Sequence, residues 1–83
     1  MINLKKVKKI TDKEIRIYFD NTSRIFNITR MFYDDIENNN RWRNLYESGK
    51  FLTNIDISGN DLVWAGWCEI FNEDIIKYTY EEK

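Results

Sequence analysis

Apolar and polar residues alternate most cleanly between Glu14 and Asp20, where Ile15, Ile17 and Phe19 are interleaved with Glu14, Arg16, Tyr18 and Asp20. A period of two is the signature of a strand that buries one face. Asp20-Asn21-Thr22-Ser23 then supplies turn formers, with Asn21 able to enter the left-handed region, and Phe26 and Ile28 resume the alternation. The pattern predicts a β-hairpin over 14–29 whose Ile15, Ile17, Phe19, Phe26 and Ile28 share a buried face. Ahead of it, Leu4, Val7 and Ile10 recur at intervals of three among lysines. That spacing fits neither strict alternation nor a long helix, and predicts a strand carrying a bulge.

Beyond the hairpin the period changes. From Met31 to Ile36 the apolar residues cluster at neighbouring and i+4 positions (Phe32, Ile36), which suits one or two helical turns. Asn38-Asn39-Asn40 ends that segment and can cap the next. There Trp42, Leu45 and Tyr46 fall at i, i+3 and i+4 and Gly49 follows as a stop, predicting a short amphipathic helix over 41–48. Leu52, Ile55 and Ile57, the turn Ser58-Gly59-Asn60, then Leu62 and Trp64 predict a second hairpin. Asn72 is placed to cap a last helix, with Glu73 and Asp74 at the positive end of its dipole and Ile75, Ile76 and Tyr78 as its apolar face. The tail Glu81-Glu82-Lys83 is expected to fray. The expected fold is therefore α+β in a single domain over 1–83. It is a small antiparallel sheet of two hairpins plus an N-terminal strand, with two or three short helices.

Composition narrows the function classes. In 83 residues, 42% hydrophobic and 16% aromatic, there are enough large side chains to close one core without disulfides. The single cysteine, Cys68, and the lack of a leader pattern point to the cytoplasm. No apolar run approaches the roughly 20 residues that a membrane helix needs, so no membrane role is expected. Histidine is absent, which removes the commonest general base, nucleophile partner and metal ligand. Cys68 lies beside Glu69 with no basic neighbour in sequence and reads as a structural thiol. Gly49, Gly59 and Gly66 are isolated and form no phosphate loop. The pairs Asp34-Asp35 and Glu73-Asp74 read as complements to helix dipoles. No catalytic, metal or cofactor residue is assigned, and no cofactor is expected.

Charge offers the one directional feature. The net charge is −1, yet residues 1–30 carry +5 and the remainder −6. Such a division either meets an anionic partner or closes on itself when the halves fold together. Lys5, Lys6, Lys8 and Lys9 on an edge strand can hold an acidic partner or phosphates, and edge lysines also prevent sheet-to-sheet aggregation. Trp42 and Trp64 sit on predicted apolar faces, whereas Trp67 lies beyond its strand and is expected to be the exposed one. The candidate partner-binding residues are Lys5, Lys6, Lys8, Lys9 and Trp67.

The order of segments VKKITDKEIRIYF, SRIFNITRMF and LTNIDISGNDLVW, with Glu69, Ile70, Ile75 and a displaced Tyr78 after Trp64, resembles the bacterial family called domain of unknown function 2442. The chain departs from that pattern at Ala65 and Gly66, where the family has Pro and Asn, at Trp67 in place of Gly, and at Asn72 where a Pro often opens the helix. The resemblance covers nearly the whole chain and consists of structural residues. It implies the α+β fold above and no catalytic residue. It also implies an antitoxin-like, non-catalytic role in binding a small protein encoded by a neighbouring gene. The alternative is a nucleic-acid-binding regulator using the basic N-terminal hairpin. The sequence sets no oligomeric state.

Overall fold

The computed structural model describes residues 1–82. Three strands open the chain: β1 (Leu4–Lys9), β2 (Glu14–Phe19) and β3 (Thr22–Asn27). They form one antiparallel sheet, sheet A, in the order β1-β2-β3. Ile15 pairs with Phe26, and Ile17 and Phe19 continue that face. Ile15, Ile17 and Phe19 of β2, with Phe26 and Ile28, are buried, as their alternation predicts. The expected bulge falls between Leu4 and Lys6, where the β1–β2 register shifts. At the hairpin tip the residue with positive φ is Asp20 (+51°), not Asn21. In a two-residue loop joining Phe19 to Thr22, the first central position carries the left-handed demand, and Asp tolerates it.

Ile28 belongs to a helix, not to the return strand: α1 spans Ile28–Asp34. Asn27 ends β3 and caps the helix at once, its side-chain oxygen accepting the Thr29 N–H at 2.9 Å. A 3-10 turn, Ile36–Asn38, leads into α2 (Asn39–Glu47), which turns Trp42 and Leu45 inward. Gly49, at φ +75°, ends α2 with its N–H donated to the Tyr46 carbonyl at 3.2 Å.

The second hairpin, β4 (Ile55–Ser58) and β5 (Asp61–Trp64), lies in a separate sheet, sheet B. A short strand that the pattern did not predict, β6 (Cys68–Ile70), completes it in the order β4-β5-β6. The α+β, antiparallel reading holds, but two three-stranded sheets replace the single expected one. The free edges of β1 and β4 approach without pairing. There the Leu4 N–H is taken by the Asn60 side-chain oxygen at 3.2 Å and the β1 bulge interrupts its edge.

The predicted last helix is reduced to a 3-10 turn, Asn72–Asp74, followed by turns. Asn72 does not cap it. Its amide donates to the carbonyls of Ile2 (2.8 Å) and Asn60 (2.6 Å) and accepts from the Ile2 N–H (3.1 Å), clasping the N-terminus to the β4–β5 turn. A side chain so engaged over long range has nothing left for the local backbone. Between the sheets and α2, the rings of Phe26, Trp42, Phe51 and Trp64 meet at centroid distances of 5.4–5.9 Å. The indole N–H groups of the two tryptophans are satisfied inside, Trp42 by Asp35 (3.0 Å) and Trp64 by the Phe51 carbonyl (2.9 Å).

Candidate partner-binding edge

Sheet A has two edges. On the β3 side, Ile25 and Tyr80 form an isolated antiparallel bridge, whereas the outer side of β1 has no strand partner and faces β4. The Ile10 N–H bonds back to the Glu14 carbonyl across the β1–β2 hairpin at 3.0 Å. By alternation, Lys8 and Lys6 also direct their backbone groups toward β2, and those of Val7 and Lys9 point outward. The outward groups of Val7 lie on the side that β4 approaches, across a groove shared with Ile55–Ile57, and those of Lys9 fall outside that groove.

Lys5, Lys6, Lys8 and Lys9 are all exposed on this strand. They do not share one face. Lys8 stands opposite Arg16 and Lys6 opposite Tyr18 on the solvent side, where the Lys6 ammonium lies 4.9 Å from the Tyr18 ring centre. Lys9 pairs with Ile15 and points to the other side, so the four charges surround the edge. None of the four is in an ion pair with another described residue. Beside them runs an open groove of about 360 Å³ lined by Lys5, Lys6, Val7, Ile55, Asp56 and Ile57.

Trp67 is more exposed than the fully buried Trp64, as expected, but it is half-buried and packs against the core instead of standing free. It sits in the turn between β5 and β6 and lines a cavity of about 250 Å³ with Arg41, Val63, Cys68 and Glu69. No cavity is shared by Trp67 and the four lysines, so the structure does not join the sequence candidates into one site. Cys68, beside Trp67, is pushed up to about 11, first by burial and then by Asp35, against the opposing charge of Arg41. Its thiol stays protonated near neutrality. The pair Asp34-Asp35 does not complement a helix dipole as expected, because it closes the C-terminal end of α1; there Asp35 accepts from Trp42 and Asn38, and Asp34 lies 4.0 Å from Arg30.

Sequence reasoning missed Arg16, Arg24 and the tail that meets them. Glu82 pairs with Arg16 and Glu81 lies 3.8 Å from Arg24, so these two tail residues are placed where fraying was expected. The tail's Lys83 lies outside the described residues. The signal available was the split of charge, which two of the basic residues partly close upon themselves. No protein-family model, curated protein or solved structure matches the chain.

Proposed function

We propose that this chain is a non-catalytic protein-interaction module that takes an acidic, extended segment of a partner along β1. The observation that carries this reading is the conjunction of a sheet edge that pairs with no strand and four exposed lysines around it, none of them ion-paired among the described residues. Strand addition supplies affinity through backbone bonds, and the lysines supply attraction at range and choice of partner. The same four charges repel a second copy in β1-to-β1 pairing, so a different, acidic chain is the better occupant. The resemblance to the domain of unknown function 2442 family adds the expectation of an antitoxin-like role, with a small protein from a neighbouring gene as that chain. The net charge of −1 favours a local acidic segment over a long polyanion.

The test replaces Lys5, Lys6, Lys8 and Lys9 with Gln and follows association with a fluorescent peptide of alternating Glu and Val by stopped flow. At low salt the variant should associate on the order of ten-fold more slowly, with a flatter salt dependence and an unchanged melting transition. Association at the wild-type rate, or a variant that unfolds, assigns the lysines to solubility or structure. Tighter binding of duplex DNA than of the peptide assigns them to nucleic acid.

A further inference from the structure

Strand pairing in sheet A continues past β3. Ile25 and Tyr80 exchange both backbone bonds, the Ile25 N–H to the Tyr80 carbonyl at 2.8 Å and the Tyr80 N–H to the Ile25 carbonyl at 2.9 Å. Antiparallel register carried on from this pair sets Glu81 opposite Arg24 and Glu82 opposite Ser23. The side chains obey it. Tyr80 and Glu82 fall on the solvent face, where the Tyr80 hydroxyl donates to Glu14 and Glu82 pairs with Arg16. Glu81 falls on the opposite face, toward Arg24. Three consecutive residues alternate as a strand does, yet among the described residues only Tyr80 bonds to the β3 backbone.

The receiving arginines are more deeply seated than the two carboxylates they meet. The Arg24 guanidinium is held by the Thr79 hydroxyl at 2.7 Å and the Thr79 carbonyl at 2.8 Å, and Thr79 is itself tied into the core by the Ile75 carbonyl. The side chains of Arg16 and Arg24 are 25% and 17% exposed, whereas those of Glu82 and Glu81 are 52% and 86% exposed. Exposed ion pairs of this kind hold weakly and are screened by salt. Arg16 draws the Glu82 carboxyl below its ordinary range, so this contact is complete above the unfolded carboxylate pKa and is lost as the pH falls through the lowered one. The Tyr80 ring lies against Arg30, 4.7 Å from guanidinium to ring centre.

We propose that the β3 edge is a second docking edge, which takes an extended aromatic–acidic–acidic segment of another protein in place of Tyr80-Glu81-Glu82. This goes beyond the β1 reading, because it uses the opposite edge and different basic residues. The chemistry of the ligand is that of the residues already seated there: a ring over Ile25 and Arg30, then carboxylates for Arg24 and Arg16. The two arginines receive these carboxylates from opposite faces of the strand. Alternating side chains of an extended peptide reach both, and a phosphate backbone running along one face does not.

The experiment uses the full chain and a fluorescein-labelled peptide of the sequence Lys77–Glu82. Tyr80→Pro removes the N–H that bonds Ile25 and so detaches the chain's own segment. If that segment fills the edge nine-tenths of the time, its release tightens peptide binding about ten-fold over wild type, read by fluorescence anisotropy. The gain should vanish for a peptide with both Glu replaced by Gln, and should persist when Lys5, Lys6, Lys8 and Lys9 are Gln. Loss of the gain in the lysine variant moves the peptide to β1 and overturns the β3 site. A folded Tyr80→Pro chain that binds no tighter than wild type overturns it, as does equally tight binding of single-stranded DNA. Should Tyr80→Pro unfold, Glu81→Gln/Glu82→Gln leaves the backbone bridge and removes the internal competitor's charges. Tighter peptide binding than wild type then supports the site, and equal binding overturns it.

Discussion

Replacing Trp64 by Phe isolates what the buried indole contributes. Trp64 is fully buried and stacks on Phe51 at 5.8 Å, lies 5.5 Å from Phe26 and meets Trp42 edge-on at 5.4 Å. A phenyl ring keeps the stack on Phe51 but cannot donate to the Phe51 carbonyl, which then stays buried without its partner. That orphaned group costs about 1–3 kcal/mol. Weakening the edge contact with Trp42 removes about 0.5–1.5 kcal/mol more. Together they give about 2–4 kcal/mol, against a total of about 4–12 kcal/mol for a chain of 83 residues. In urea, with a slope of about 1 kcal/mol per molar for so small a domain, the midpoint should fall by about 2–4 M. Trp67→Phe, at a half-buried turn position, should move it by less than about 0.5 M on the same slope. Equal shifts in the two variants, followed by circular dichroism, would refute the placement of Trp64 at the centre of the aromatic cluster.

Ile17 is fully buried on the inner face of β2. Ile17→Asp should abolish the cooperative thermal transition, because it removes that burial and inserts an unpaired carboxylate; a native-like melt would sink the assignment of the buried face. Cys68, with its pKa raised to about 11, should be almost wholly thiol at pH 8. Its thiolate fraction there is about a thousandth, against about a quarter for an ordinary cysteine near 8.5, and it rises only as the pH passes the raised value. Labelling by a disulfide reagent should therefore be slow in the native state and fast in denaturant, and rapid native labelling would contradict the burial.

Local pattern was sufficient wherever one side chain's neighbours in sequence are also its neighbours in space. The alternation of Ile15, Ile17 and Phe19 specifies both the strand and its buried face, since a one-residue slip would expose all three. Trp42 and Leu45 specify the inner stripe of α2 in the same way. The spacing of Leu4 and Val7 was enough to place a bulge, and the turn residues were enough to place both hairpins. The clustering of lysines at the start of the chain likewise marked an exposed strand before any packing was known.

Tertiary structure decided everything that depends on a distant partner. Whether β1 is an edge is a property of which strands bond to which, and two sheets instead of one leave its outer side unpaired. β6 has three residues, too few to show a period, and exists because β5 supplies its backbone bonds. Asn72 carries the signature of a helix cap, but Ile2 and Asn60 claim its amide across 70 and 12 residues of sequence, and the helix does not form. The tail reads as polar and free until Ile25 offers it a backbone pair and Arg16 and Arg24 offer it charge. Sequence determines which faces are apolar and where the chain can turn, because those follow from side chains and local sterics. Which polar groups find each other depends on loop closure over tens of residues, and that is set only when the core brings the ends together.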